Sequence, residues 1–240
     1  MKKIIALILV LTTIFLVSCT KSQDTESQTE VTQETTFGRT TQIGDYITFG
    51  SYEQDNDASN GKEPIEWLVL SKTDSELLVI SKYVLDSKPF DVEYDTSAWE
   101  KCSLRSWLNN DFFNEAFSSE EQARICEDYL IAELSPYADE EIYDKYPKLD
   151  IGNNTYDKIY LLSASQVESL FDSDLSMRCA PTEYALAQGS KIEDNSRHYT
   201  SWMVRTSTGA FCSLVTVMAT GGLNYLGGYN NIRPAMRISY

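Results

Sequence analysis

The sequence predicts an α+β domain of antiparallel sheet with several short helices, on three observations. Strand-like alternation fills the first third of the folded region, helical spacing fills its middle, and Gly-punctuated β runs close it. Strand and helix do not alternate in the βαβ manner, which disfavours a doubly wound parallel sheet. Asp45-Tyr46-Ile47-Thr48-Phe49, Ile65-Glu66-Trp67-Leu68-Val69-Leu70 and Leu77-Leu78-Val79-Ile80 read as a meander, with the turn-rich Asp55–Gly61 between the first two. Leu104, Trp107 and Leu108 fall at i, i+3 and i+4, and Phe112, Phe113, Ala116 and Phe117 extend that apolar face. Ser118 with Glu121 forms a capping box for a short helix through Ile125, and Ser163 with Gln166 forms another ahead of Val167, Leu170 and Phe171. Between these, Ile159-Tyr160-Leu161-Leu162 reads as a buried strand, and a further short helix is expected from Pro181. From Trp202 onward, turns at Gly209, Gly221-Gly222 and Gly227-Gly228 separate short apolar runs, the pattern of β structure. The acidic, Tyr/Pro/Gly-containing stretch Ser135–Asn154 reads as a long surface insertion.

Three parts are expected along the chain: residues 1–18, 19–42 and 43–240. Met1-Lys2-Lys3, the apolar run Ile4–Val17 and Ser18-Cys19 have the layout of a secretory signal. The run is about 14 residues, short of the roughly 20 that span a bilayer as a helix. Leu16-Val17-Ser18-Cys19 resembles the bacterial lipobox, which implies cleavage before Cys19, acylation of its sulfur and anchorage on the outer face of a membrane. Thr20–Gln42 is almost all Ser, Thr, Gln and Glu, too polar to offset its own ordering entropy, and reads as a flexible stalk. Residues 43–240 are enough for one domain with one core. Loss of residues 1–18 removes Lys2 and Lys3 and carries the formal charge from −16 to about −18. So acidic a surface repels phosphate backbones, and no nucleic-acid partner is expected.

The folded part carries, in order, Phe49-Gly50-Ser51-Tyr52-Glu53-Gln54, Pro64–Leu70, Leu104-Arg105-Ser106-Trp107-Leu108-Asn109, Leu161-Leu162-Ser163, Pro181-Thr182-Glu183-Tyr184-Ala185, Trp202-Met203-Val204-Arg205-Thr206 and Ile232-Arg233-Pro234-Ala235. This series resembles an uncharacterised domain-of-unknown-function family of bacterial surface and phage-associated proteins, with signature FGxYxQ, PIeWxVL, LRxWLN, LLS, WWLRS and GVRPA. Met203, Val204, Thr206 and Asn231-Ile232 depart mildly from it. The closing Trp-x-x-Arg strand, Gly-rich turns and Arg-Pro-Ala strand also resemble the C-type-lectin-like fold shared with formylglycine-generating enzymes. That resemblance implies a fold; the family implies no activity.

Chemistry-bearing motifs are scarce. His198 is the single histidine and sits in a polar loop, so His-rich metal sets are out of reach. GxSxG, HExxH and P-loop patterns are absent. Asp55-x-Asp57-x-Ser59-Asn60-Gly61 with Glu66 approximates a calcium loop, but its glycine is at the seventh position rather than the sixth, and a hairpin loop is favoured. No cofactor or metal is expected. With Cys19 assigned to lipid, Cys102, Cys126, Cys179 and Cys212 remain, and they read equally as two disulfides in any of three pairings or as buried reduced thiols. Arg105, Arg205 and Arg233, embedded in apolar motifs, are expected to bond internally. The expected function is a membrane-anchored, extracellular, non-catalytic module that binds a glycan or surface protein. On the lectin-like resemblance, its ligand residues would be Trp202, Tyr225, Tyr229 and Asn230 in the C-terminal loops. The alternative is an extracellular enzyme of glycoside-hydrolase or formylglycine-type oxidase class, the latter needing Cys179 and Cys212 as a reactive pair.

Overall fold

The computed structural model describes residues 38–94, 96–135, 151–208, 214–224 and 230–240. Strands β1 (Tyr46–Tyr52), β2 (Glu63–Lys72) and β3 (Glu76–Ser81) form the expected antiparallel meander. The strand that completes the sheet comes from the far end of the chain. β13 (Ala235–Ser239) pairs with β3 along five residues, and on its other side meets β5 (Ile125–Cys126) and β8 (Ile159–Tyr160). All these pairings are antiparallel, so the six-stranded sheet and its helices are α+β.

β1 and β2 bend at a bulge between Thr48 and Ser51. Gly50 sits there at φ +70, and a Cβ on it would lie 2.6 Å from the Phe117 ring and 2.7 Å from the Ala116 carbonyl, so no larger residue fits. The bulge lets Trp67 Nε1 donate to the Phe49 carbonyl (2.7 Å) and Glu121 Oε1 accept from Gly50 N (2.8 Å). Tyr52, two residues on, donates to the buried Asp86 (2.8 Å). Phe49, Tyr52, Trp67, Phe112 and Phe117 make tilted or edge-on ring contacts beneath the helices, the geometry that aromatic quadrupoles favour.

The helical spacing at 104–117 yields one continuous segment in three registers: α1 (Ser103–Trp107), a π-turn (Leu108–Phe112) and α2 (Phe113–Ala116). Both expected capping boxes are present, Ser118 and Glu121 opening α3 (Ser119–Arg124), Ser163 and Gln166 opening α4 (Ala164–Leu170). After α5 (Asp174–Met177), α6 (Glu183–Ala187) starts two residues later than expected, because Thr182 rather than Pro181 caps it. Pro181 bridges Val84 instead.

The C-terminal region is β as expected. β9 (Trp202–Ser207), β10 (Leu214–Val217) and β11 (Leu223–Asn224) form one sheet, and β12 (Asn231–Ile232) pairs with β4 (Asp86–Ser87). A two-stranded ribbon, β6 (Asp128–Leu130) with β7 (Thr155–Asp157), flanks the segment read as an insertion, of which residues 136–150 lie outside the described structure. The folded body begins before the expected boundary at residue 43: Lys72 Nζ bonds the carbonyls of Arg39 (2.9 Å) and Thr41 (2.7 Å). Residues 39 and 41 are thereby tied to β2.

Candidate functional site

A cleft of about 390 Å³ opens between the 103–116 segment and the β6–β7 ribbon, lined by Arg105, Ser106, Asn109, Asn110, Phe113, Glu127, Tyr156, Asp157 and Lys158. The period-two geometry of the ribbon explains one wall. In β7 Thr155 and Asp157 are buried and Tyr156 is exposed, and in β6 Leu130 is buried and Tyr129 is exposed. Tyr129 and Tyr156 are partners in the register, and their rings lie 4.9 Å apart on the outer face, 51% and 64% exposed. Asn154 Nδ2 donates to the Tyr129 hydroxyl (2.6 Å), pinning that ring.

On the inner face each aspartate is tied to a different element. Asp157 accepts from Arg105 Nε (2.6 Å), Trp99 Nε1 (2.8 Å) and Thr155 Oγ1 (2.6 Å). Asp128 accepts from Arg237 Nε (2.8 Å) and the Tyr160 hydroxyl (2.6 Å). Burial, reinforced by the Asp128 charge, pushes the Tyr160 phenol well up, and although burial opposes the Arg237 charge, Asp128 outweighs it and raises Arg237. Both aspartates are thus spent on holding the ribbon.

Asn109, at the π-turn, closes the cleft floor with its whole hydrogen-bonding capacity. Its Nδ2 donates to the carbonyls of Arg105 (3.0 Å) and Ile159 (2.9 Å), and its Oδ1 accepts from Lys158 N (2.9 Å) and Ile159 N (3.2 Å). What remains open to the cleft is a mixed set. Glu127 makes no hydrogen bond or ion pair among the described residues, Lys158 Nζ rests 4.7 Å over the Phe113 ring, and Tyr156 keeps its hydroxyl unbonded.

Of the four expected ligand residues, Trp202 and Asn230 are among the described residues. Trp202 is fully buried, its Nε1 donating to the Met177 carbonyl (3.0 Å) and its ring beneath the Arg233 guanidinium (4.9 Å). Trp202 is closed to a ligand because all six β9 residues are buried, so neither face of that strand meets solvent. Asn230 is exposed, while Tyr225 and Tyr229 lie outside the described residues. Tyr129, Tyr156, Glu127 and Lys158 were missed by sequence reasoning. The signal was the polar–aromatic alternation of Asp128-Tyr129-Leu130 and Thr155-Tyr156-Asp157, three residues each and too short to stand out.

Cys102, Cys126 and Cys179 are free thiols, the second of the two readings open for them; Cys19 and Cys212 lie outside the described residues. Cys102 accepts from Arg105 N (3.4 Å) as the α1 cap, and burial pushes it up to about 12. Cys179 is sealed in the core, donates to the Lys82 carbonyl (3.3 Å), and is likewise raised by burial. A thiol held protonated and away from solvent is unsuited to metal-assisted oxidation. His198 stands exposed on its loop at φ 58.

The Asp55–Gly61 stretch is the β1–β2 loop, as favoured. Asp55 Oδ1 accepts from Asp57 N (2.8 Å), Asp57 Oδ1 from Ser59 N (3.0 Å) and Asp55 Oδ2 from Asn60 Nδ2 (2.7 Å), while Glu66 pairs with Lys82, just past the end of β3 (2.7 Å). Glu53, Asp55 and Glu63 bring carboxylate oxygens within 4.8 Å of one another, with Glu63 accepting from Gln54 N (2.7 Å) and Asp55 N (3.3 Å).

A family model described as a domain of unknown function (DUF6273) matches residues 74–240, and by that span the chain belongs to the family. The matched span holds the whole cleft, whereas the Phe49–Gln54 and Pro64–Leu70 motifs precede it. No curated protein and no solved structure matches the chain, so the lectin-like resemblance rests on the sequence motifs alone.

Proposed function

We propose that this member of the DUF6273 family is an exported lipoprotein, anchored through Cys19 on the outer face of a membrane, whose folded body is a non-catalytic module binding a surface glycan or protein. The signal-like start, the lipobox-like Leu16–Cys19 and the polar stalk support the anchor. No helix among the described residues is long and apolar enough to cross a membrane. The observation that carries the binding reading is the cleft, where exposed Tyr156, its ring against that of Tyr129, lines the same space as Glu127 and Lys158, which make no ion pair among the described residues. Glycoside hydrolysis takes two carboxylates at roughly 5 to 9 Å. Of the two in this cleft, Asp157 is committed to Arg105, Trp99 and Thr155, which leaves Glu127 without a partner for that chemistry.

Sedimentation of the purified full chain with isolated envelope polysaccharide and envelope protein fractions tests the binding reading. The chain should pellet with one fraction, Tyr156→Ala should stay in the supernatant, and the pelleted material should be chemically unchanged. Soluble fragments released in proportion to time would establish an enzyme instead. Growth with an alkyne-bearing fatty acid tests the anchor: the label should appear on the wild-type chain and be lost in Cys19→Ala.

A further inference from the structure

The cleft has a chemistry specific enough to name its occupant. This step rests on the reading of the cleft as the binding site. Its lining is polar apart from Phe113 and the Tyr156 ring, so it offers an apolar anchor side chain no pocket of its own, and such anchors carry most protein–protein interfaces. Its volume of about 390 Å³ falls within the ~300–1,000 Å³ of sites for small organic ligands.

Charge narrows the choice. Arg105 is cancelled by Asp157 at 2.6 Å, which leaves Lys158, resting over the Phe113 ring, and Glu127 as one cation and one anion without an ion pair among the described residues. An anionic polymer would gain one favourable partner and one repulsive one, on a chain of net charge −16. A neutral ligand that both donates and accepts meets no such conflict: Glu127 accepts, Lys158 donates, and the Tyr156 and Ser106 hydroxyls do either. Ligand hydroxyls satisfy all four.

The remaining feature is the flat, exposed ring of Tyr156 at the rim, held by its 4.9 Å contact with the pinned Tyr129. A rigid tyrosine with two side-chain torsions presents area at low entropic cost, with an apolar face and a polar tip. A pyranose has the matching form, an apolar C–H face with hydroxyls around its edge. We propose that the cleft binds a neutral oligosaccharide, one ring stacked on Tyr156 and its hydroxyls bonded by Glu127 and Lys158.

The full chain applied to an array of neutral oligosaccharides, hexose and N-acetylhexosamine oligomers together with their sulfated and uronate-bearing counterparts, tests this. Neutral members should bind. Tyr156→Ala and Lys158→Ala, checked for unchanged melting temperature, should each lower the apparent affinity at least tenfold, while Leu175→Ala, an exposed residue on α5, should leave it unchanged. Binding confined to the acidic members and lost in Tyr156→Ala would overturn the neutral assignment and leave the binding-module reading intact. Neutral binding that survives Tyr156→Ala, or no saccharide binding at all, would overturn the proposal. In the second case sedimentation with the envelope protein fraction decides whether the module reading falls with it.

Discussion

Arg105, Arg205 and Arg233 occupy similar apolar motifs, yet their surroundings give them different energetic weights. Arg233 is buried and donates to the carbonyls of Ser81 (2.9 Å) and Met177 (3.2 Å) while lying over Trp202. Arg205 is nearly as buried, but its Nε and Nη1 have no hydrogen-bond partner among the described residues, and desolvation lowers its affinity for the proton. The carboxylates that compensate it from a distance, chiefly Glu133, are held by other groups. Burial works against the Glu133 charge, but hydrogen bonds from Thr206 and Ser165 overcome it and keep the carboxyl below its usual range. Arg233→Met should therefore cost about 2–3 kcal/mol, while Arg205→Met should change stability by less than about 1 kcal/mol or raise it. Urea titrations with unchanged m-values measure both, and an Arg205→Met cost equal to that of Arg233→Met would contradict this reading.

Cys102 adds a pH dependence at the same scale. Burial raises the thiol from 9.0 to about 12, so the folded state keeps a proton that the unfolded chain gives up. The associated stability is complete below pH 9.0 and is lost as the pH climbs from there through about 12. Cys102→Ser retains a capping oxygen and removes the ionisation, so its alkaline fall in melting temperature should be shallower than that of the wild type. Equal alkaline slopes would show that Cys102 does not contribute.

Among elements, the 103–116 segment and the β6–β7 ribbon together make the cleft, and Asn109 couples them. Asn109→Ala removes four hydrogen bonds and leaves Lys158 N and both Ile159 backbone groups in need of partners. It should cost about 2–4 kcal/mol by urea titration and weaken ligand binding as well. A variant of full stability would contradict the coupling. The elements differ in how plainly they are written in the sequence. The capping boxes at Ser118 and Ser163 were readable because each is a local pair three residues apart. The helix through Leu104 and Phe112 was readable from its apolar face, but the π-turn was not, because Phe113 N–H reaching back to the Leu108 carbonyl leaves the apolar spacing intact. The ribbon that carries Tyr129 and Tyr156 joins strands at either end of the stretch read as an insertion, a pairing that no local pattern encodes.

At the scale of the whole molecule, the meander and the α+β class followed from alternation, while the position of β13 did not. That strand closes the chain yet sits between β3 and the β5 and β8 pairs, and such non-local pairing leaves no periodic trace in its own residues. The motifs singled out in the sequence also acquire a physical meaning. Gly50 makes a bulge, Tyr52 and Trp67 bond buried acceptors, Arg105 and Asn109 fasten the cleft walls, Ser163 and Thr182 cap helices, and Arg233 ties two segments together. These residues specify the fold, and of the groups left for a ligand Tyr156, Glu127 and Lys158 lie outside these motifs.

The central claim, that the cleft rather than the C-terminal loops meets the partner, is tested most directly by site-specific photo-crosslinking of the full chain in the cells that make it. A benzophenone side chain placed at position 156, at position 230 or at position 175 samples the ribbon, the C-terminal segment and α5 in turn. The account predicts a discrete adduct from position 156 and none from positions 230 or 175. An adduct from position 230 with none from position 156 would return the site to the C-terminal loops and contradict it.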